Sequence, residues 1–237
     1  MLKFHIIGKG FISPKHEEAI KSVKGVATTY EDADCIVILS PNFLHYRQAI
    51  KAAKDGKTVL VEKPLCLKAS EAEELAKYDV YTVFQLRYQP LKIEKRKSNF
   101  VDIDISVQRD KAYWDSWKGD HKKSGGALFN LGIHYFDLVF QTFGYPKSKP
   151  DLWRVEAKYV EGTLLESNYY CHFKFDLEAE KPHRVFQIND EWFDLTEKEN
   201  LHKNVYKDLI KGNGVHAKDV IPLISFLEQC SKPSKEF

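Results

Sequence analysis

The 237-residue sequence lacks the features that mark membrane-bound or exported proteins. No apolar run approaches the roughly 20 residues that a membrane helix needs. The chain begins directly with MLKFHIIG, without the basic, apolar and small-residue pattern of a secretory signal. We therefore expect a cytoplasmic protein that does not enter a membrane.

Cysteine and net charge are also scarce. The four cysteines, Cys35, Cys66, Cys171 and Cys230, are far apart and form no CxxC or other metal-ligand spacing. This indicates reduced thiols and gives no sign of a metal site. A net charge of +2 is too small to attract a polyanion, so we do not expect nucleic-acid binding.

The most unusual stretch is Ser124 to Asp137, SGGALFNLGIHYFD. Its apolar character predicts a buried helix. Asn130, His134 and Asp137 fall at i, i+4 and i+7, which places them on one face of that helix. Buried polar groups cost stability unless they are satisfied. The pattern indicates either a functional site or a core histidine hydrogen-bonded to Asp137.

Strands alternate with helices over the first third of the chain, which predicts a parallel sheet buried on both faces. The predicted strands are Leu2–Ile7, Cys35–Leu39, Thr58–Val61 and Val80–Phe84. Ligands bind outside the carboxyl ends of such strands. Those ends carry residues 8–10, 40–42, 62–64 and 85–87.

Two of these strand ends have distinctive sequences. The turn GKGFIS has two of the three glycines of the G-x-G-x-x-G fingerprint, which lets the backbone approach a pyrophosphate at a helix start. An ordinary strand-to-helix turn is the alternative. Lys63 directly precedes Pro64, a constrained geometry that a cis bond would satisfy. We therefore rank Lys63 above the other lysines as a site residue.

From about Pro90 the pattern predicts an α+β domain on an antiparallel sheet. Its predicted strands are 99–108, 153–160, 164–175 and 184–195, and its predicted closing helices are 201–211 and 217–229. The predicted domains are 1–89 and 90–237. The open face of such a sheet commonly forms subunit contacts, so we expect a homo-oligomer, either a dimer or a tetramer.

Only Gly25 to Asp34 separates the first predicted helix from the next strand. A crossover to another parallel strand requires about a dozen or more residues. We therefore expect one right-handed crossover that leaves Leu2–Ile7 at the sheet edge. An edge this apolar invites pairing with another chain, so we expect the segment GVATTY or a second subunit to cover it.

In chain order, these motifs resemble the glucose-fructose oxidoreductase, inositol dehydrogenase and MocA family. The motifs that carry the resemblance are GKGFISPKH, SPNFLH, VEKPL, QLR, SWKGD and NLGIHYFD. The sequence is most similar to the branch that oxidises UDP-N-acetylglucosaminuronic acid at C3 in building bacterial surface polysaccharides. The likeness covers nearly the whole chain, down to LHKNVYKDLIKGNG.

The resemblance implies an abbreviated Rossmann-type domain that holds NAD, or NADP, and a second domain that holds a sugar nucleotide. The implied cofactor-binding residues are Gly8, Gly10, Phe11, Ile12, Ser40, Pro41, Asn42, His45, Glu62, Lys63 and Gln85. The implied substrate-binding residues are Lys63, Arg87, Tyr113, Trp117, Lys118, Asn130 and His134.

The resemblance also implies that Lys63 and His134 are the catalytic residues. His134 would be the base, or its relay, for the hydroxyl proton, and Lys63 would stabilise the developing alkoxide. Asn130 would orient the sugar, although many relatives have aspartate at this position.

Two classes of function remain open. The first is an NAD(P)-dependent sugar-nucleotide dehydrogenase. The second is a non-redox descendant, either a binding subunit or an enzyme that uses the sugar pocket without hydride transfer. The second class stays open because the sequence lacks the strand that, in relatives, ends in a ribose-binding acid.

Overall fold

The computed structural model describes residues 1–196 and 199–231. The described residues form two compact units, of which the first contains Met1–Gln89 and 199–224. The second contains Pro90–Thr196 and 225–231. In this part of the chain, no helix combines the length and the apolar character needed to cross a membrane.

The strands and helices alternate through the first unit and then give way to a strand-rich second unit. The strands are β1 (Lys3–Ile7), β2 (Val26–Ala27), β3 (Cys35–Ile38), β4 (Thr58–Val61), β5 (Val80–Thr82), β6 (Asn99–Gln108), β7 (Asp151–Val155), β8 (Tyr159–Leu165), β9 (Tyr169–Asp176), β10 (Glu178–Ile188) and β11 (Glu191–Trp192). The α-helices are α1 (Ser13–Ser22), α2 (Asn42–Lys54), α3 (Ala69–Leu75), α4 (Lys111–Asp115), α5 (His121–Ser124), α6 (Ile133–Phe143), α7 (His202–Leu209) and α8 (Ala217–Cys230).

The sheet of the first unit is parallel throughout, in the order β2-β1-β3-β4-β5. All four residues of β3, CIVI, are buried, as expected for a strand covered on both faces. Because the strands are parallel, their carboxyl ends lie along one edge of the sheet. This arrangement confirms the predicted Rossmann-type architecture.

The prediction that β1 forms the sheet edge is wrong. β2 lies outside β1 and pairs with it in parallel, at Lys3 with Val26 and at Phe4 with Ala27. A return of a few residues to β3 suffices because β2 is only two residues long and lies level with the start of β3, whose Cys35 also pairs with Phe4. The expectation that GVATTY covers β1 is confirmed.

The sheet of the second unit has the order β11-β10-β6-β9-β8-β7. It is mixed because β6 pairs in parallel with β9, while its other pairings are antiparallel. The predicted strand 153–160 instead turns back on itself as β7 and β8. Phe136 of α6 packs edge-on against Phe173 of β9, with ring centroids 5.1 Å apart, so this helix covers one sheet face.

The predicted regular helix after Gly126 begins with a wider turn. Leu128–Gly132 is π-helical and leads directly into α6. A π-turn closes i→i+5 hydrogen bonds, and such turns occur frequently at functional sites. Asn130 therefore lies on a different helical geometry from His134.

α7 belongs to the first unit, although the sequence analysis assigned residues 90–237 to the second domain. Its buried side chains Val205, Tyr206 and Leu209 join the core cluster that contains Phe4 and Ile20. Apolar contacts with residues distant in the sequence place α7 in the first unit. Its position along the chain does not indicate these contacts.

This packing predicts different costs for two neighbouring truncations. Leu209 is 8% exposed and Ile210 is 42% exposed. We expect Leu209→Ala to lower the free energy of unfolding by about 2–4 kcal/mol. We expect Ile210→Ala to lower it by less than ~1 kcal/mol because a large part of its surface already contacts water. Urea denaturation followed by circular dichroism measures both, and equal costs would contradict the placement of α7.

Candidate functional site

The glycine turn after β1 passes close to the end of β3. Gly8 has φ +95, and a Cβ there would lie 2.8 Å from the backbone atoms Leu39 C and Ser40 N. Both the positive φ and the close approach require glycine. Gly10, in contrast, has no atom within 4 Å of its Cβ direction, so its open side leaves room for a ligand.

Ser13 closes this turn. The Gly10 N–H donates to Ser13 Oγ at 2.9 Å, and Ser13 Oγ donates to the Gly8 carbonyl at 3.2 Å. Ile12 is the N-cap of α1, and Phe11 is 96% exposed. The sequence analysis missed Ser13, although the GKGFIS motif contains it in place of the third glycine.

His45 connects two of the predicted strand ends. One ring nitrogen, Nε2, lies 2.7 Å from the Ser40 carbonyl, and the other, Nδ1, lies 2.6 Å from the Pro64 carbonyl. Burial lowers the pKa of His45, and the two carbonyl oxygens oppose that shift. The side chain of His45 is buried and touches backbone atoms of both strand ends, beside Pro41 and Asn42.

The Glu62–Lys63–Pro64 turn follows β4, and its Lys63–Pro64 peptide bond is cis, as the sequence suggested. The Glu62 carboxylate is held within the first unit. Its Oε1 lies 2.9 Å from His16 Nε2 and 3.3 Å from His202 Nε2. Its Oε2 accepts the Lys63 backbone N–H at 3.1 Å.

Two effects oppose each other in the acidity of Glu62. Burial raises its pKa, but the close contacts with His16 and His202 outweigh burial and hold the pKa well below its usual value. The sequence analysis named neither histidine as a site residue. The signal was present, because His16 ends GKGFISPKH and His202 begins HKNVY, two segments that carry the family resemblance.

The fourth strand end continues as a 3-10 helix, Gln85–Tyr88. Gln85 and Arg87 are both half-buried there. The Arg87 guanidinium lies 5.2 Å from the centre of the Phe84 ring. The hydroxyl of Tyr88 donates to Asp208 of α7 at 2.7 Å, which ties this strand end to the helix.

In the second unit, the predicted loop residues form an aromatic and basic cluster around α4. Arg109 lies 4.9 Å and Lys118 5.8 Å from the centre of the Tyr113 ring. Lys118 also lies 6.0 Å from the Trp117 ring. Burial raises the pKa of Tyr113, and Arg109 opposes that shift. Sequence reasoning missed Arg109, whose position just after β6 in DISVQR was the available signal.

The second group of predicted site residues lies on the π-turn and on α6. Asn130 is on the π-turn and His134 is in the first turn of α6, and both are half-buried. Asp137 is buried. A Cβ at Gly132 would lie 3.2 Å from ring atoms of Phe175. Glycine therefore allows this helix to pack closely against β9 at the point that positions His134.

The predicted site residues thus fall into two sets, one in each unit. The cofactor-binding set, with Lys63 and Arg87, lies at the carboxyl ends of the parallel strands. The remaining predicted substrate-binding residues are Tyr113, Trp117, Lys118, Asn130 and His134, which lie around α4 and at the start of α6.

Comparison with known proteins gives curated relatives for parts of the chain. Glucose-6-phosphate 3-dehydrogenase of Bacillus subtilis is 28% identical over 141 residues, which cover 52% of this chain and 40% of the relative. The 2,7-anhydro-N-acetylneuraminate hydratase of Escherichia coli is 27% identical over 126 residues, which cover 47% of this chain and 34% of the relative. The chain thus spans less than half the length of these two relatives in the matches.

Among solved structures, the chain is similar to the WlbA (WbpB) dehydrogenase of Thermus thermophilus, solved in complex with NAD and UDP-GlcNAcA. The TM-score is 0.86 at 26% identity, over 99% of this chain and 96% of that chain. The WlbA dehydrogenase of Bordetella pertussis gives a TM-score of 0.78 at 17% identity, over 97% of this chain and 96% of that chain, which supports the fold.

Two family models match the two parts of the chain. Residues 14–80 match the model described as oxidoreductase family, NAD-binding Rossmann fold. Residues 98–170 match the model described as oxidoreductase family, C-terminal alpha/beta domain. With the glycine turn, the cis Lys63–Pro64 bond and the helix bearing His134 in place, the chain belongs to the Gfo/Idh/MocA oxidoreductase family.

Proposed function

We propose that the protein is an NAD-dependent dehydrogenase that oxidises a secondary alcohol of a sugar nucleotide, at C3 of a UDP-N-acetylglucosaminuronate-like substrate. One observation carries the proposal. The chain superposes over 99% of its length, at 26% identity, on a dehydrogenase solved with NAD and UDP-GlcNAcA. The chain also has Lys63 and His134, the two residues that the proposed oxidation requires.

The residues at the carboxyl edge of the first sheet fit a dinucleotide. Gly10 leaves open space where a pyrophosphate would approach, and the first amides of α1 favour negative charge. Ser13 holds that turn closed from within. When bound, NAD supplies the hydride acceptor at its nicotinamide ring.

Oxidation of a secondary alcohol requires a group that takes the hydroxyl proton. An imidazole titrates near neutral pH, so His134 suits this role. The Lys63 ammonium hydrogen-bonds the same hydroxyl and stabilises the negative charge that develops on its oxygen. Asn130 orients the sugar through its amide. Neither role requires a metal ion.

The cluster around Tyr113 suits the remainder of a sugar nucleotide. Aromatic rings provide stacking surfaces, and cations attract diphosphate or carboxylate oxygens. Arg109 and Lys118 both lie within 6 Å of the Tyr113 ring. We assign Tyr113, Trp117 and Lys118, together with Arg87, to substrate binding, and we add Arg109 to this group.

The proposal extends to assembly and to biological role. The sheet face opposite α6 presents exposed apolar side chains, among them Phe100, which stacks on Tyr170 with ring centroids 5.7 Å apart. Such a face suits contact with a second copy of the chain, and we propose a homo-oligomeric, cytoplasmic enzyme. A 3-keto sugar nucleotide made by it would serve surface-polysaccharide biosynthesis.

The first test removes the proposed catalytic groups. Lys63→Ala and His134→Ala should each lower turnover on the order of 10²- to 10⁴-fold, with a smaller effect on sugar binding, because both act mainly in the transition state. The double variant should lose much less than the product of the two effects. NADH absorbance at saturating UDP-GlcNAcA measures turnover. Lys68→Ala and His183→Ala are matched controls, and unchanged turnover in His134→Ala would remove this residue from the mechanism.

The second test concerns cofactor selectivity. β2 is only two residues long and is followed by Thr28 and Thr29, so no acidic residue ends it. A charged hydrogen bond contributes about 1.5–3 kcal/mol, and each 1.4 kcal/mol is about a tenfold change in affinity. We therefore expect binding of NADH at least about tenfold weaker than in a relative that has this acid. Discrimination against NADPH should be small.

Calorimetric titration of both nucleotides into the cofactor-free protein measures these affinities. A strong preference for one would mean that other groups, such as Glu31 or Asp32, form a ribose site. No binding of either nucleotide up to millimolar concentration, together with clear binding of a UDP-sugar, would replace the dehydrogenase proposal with the non-redox one.

A further inference from the structure

Four side chains form a buried cluster behind the Glu62–Lys63–Pro64 turn. We call it the Glu62 clamp and define it as His16, Glu62, His202 and Tyr206. The side chains of His16 and His202 are 0% and 1% exposed, and that of Glu62 is 13% exposed. A carboxylate buried to this extent is costly unless positive charge or hydrogen-bond donors surround it.

The hydrogen bonds assign the proton positions in the clamp. Burial raises the pKa of Tyr206 well above its usual value, so the phenol keeps its proton. Within the described residues, its hydroxyl contacts His16 Nδ1 at 2.9 Å. An ionised carboxylate only accepts hydrogen bonds, so His16 Nε2 carries a proton and donates it to Glu62 Oε1 at 2.9 Å. The Tyr206 hydroxyl, on the other ring nitrogen, fixes the orientation of the His16 ring.

The ligand atoms of His16, Glu62 and His202 lie within 4.8 Å of one another, close enough to hold a cation. A cation bound there would displace the proton that His16 Nε2 donates to Glu62. Without a cation, the cluster acts through hydrogen bonds and charge.

His202 supplies the second contact to the carboxylate. Its Nε2 lies 3.3 Å from Glu62 Oε1, within ion-pair range, and neither ring nitrogen has an aligned hydrogen bond within the described chain. His202 begins α7, and its ring packs edge-on against the His16 ring at 4.8 Å between centroids. The attraction to Glu62 thus comes from two helices at once.

The clamp reaches the backbone of Lys63. The second oxygen of Glu62, Oε2, accepts the Lys63 N–H at 3.1 Å, and the peptide bond after Lys63 is the cis bond. One carboxylate therefore connects α1, which follows the glycine turn, with α7 and with the backbone that carries the Lys63 ammonium. With both oxygens engaged inside the unit, Glu62 is better suited to hold this backbone than to bind the cofactor directly.

We propose that His16, Glu62 and His202 are positioning residues that keep Lys63 in its working geometry. This inference rests on the catalytic role that the proposed function gives to Lys63. A catalytic group displaced by about 1 Å can cost about 10²-fold in rate. Loss of the clamp should therefore lower kcat while the binding of the sugar nucleotide is largely kept.

Three variants and one control test the clamp. His202→Leu introduces an apolar side chain of similar size and removes the contact with Glu62. His202→Gln restores a donor and should recover part of the loss. Tyr206→Phe removes only the hydroxyl that orders His16. His216→Leu is the control, because His216 is also in the first unit but bonds the Tyr78 carbonyl, with Nε2 at 3.0 Å.

Steady-state kinetics with NAD and UDP-GlcNAcA provide the first measurement. We expect kcat to fall about 10²-fold in His202→Leu and about tenfold in Tyr206→Phe, with the KM for the sugar changed less than about threefold. His202→Gln should lie between His202→Leu and the unchanged protein. A parallel loss in His216→Leu, or a fall confined to KM, would overturn the positioning role.

Hydrogen exchange of the peptide that contains Lys63 provides a measurement independent of activity. The Lys63 amide donates to Glu62, so its exchange should accelerate about tenfold in His202→Leu but not in His216→Leu. If the unaltered protein reduces no NAD, the proposed dehydrogenase function fails while this exchange experiment still decides whether the clamp exists. Unchanged exchange at Lys63 in every clamp variant would overturn the clamp itself.

Discussion

A carboxylate removed from water must be stabilised by its neighbours. Glu62, at the end of β4, is stabilised by residues of two helices that pack there. Replacing water around an ion costs several kcal/mol unless close partners compensate. His16 and His202 provide that compensation from α1 and α7. Because α1 also follows the glycine turn, these contacts link the proposed cofactor turn with the strand end that carries Lys63.

A second constraint operates in the other unit, where the helix bearing His134 has to pack closely on an aromatic sheet. Gly132 leaves the room that the Phe175 ring needs, and Phe136 fills the space beside Phe173. Burial of the apolar side chains of this helix is favourable and offsets the cost of burying its polar side chains among them. The half-buried His134 is therefore held on a rigid element, as its proposed role in proton transfer requires.

Local patterns in the sequence predict the strands and their ends well. β4 and β6 have the predicted bounds, because short apolar or alternating runs between turn residues determine them. The dipeptide Lys63–Pro64 pointed to the cis bond for a local steric reason. The strand ends follow from the parallel order, and the resemblance to a known family named the candidate cofactor residues at and around them.

Features that depend on distant contacts were not predictable in the same way. Val26 and Ala27 are too few to show a strand pattern, and only their pairing with β1 defines β2. His16 and His202 are separated by more than half the chain, so their shared contact with Glu62 appears only in the folded protein. The assignment of α7 to the first unit has the same origin, since Tyr206 is buried in a core built mainly by the first 89 residues.

The most direct test of the proposed chemistry is hydride transfer from a labelled substrate. UDP-GlcNAcA deuterated at C3 would be incubated with the protein and NAD, and the nicotinamide C4 position of the product analysed by NMR. The account predicts deuterium at C4 in one stereochemical position and a 3-keto sugar nucleotide in equal amount. Consumption of the sugar nucleotide without deuterium in NADH, or recovery of both reactants unchanged, would contradict it.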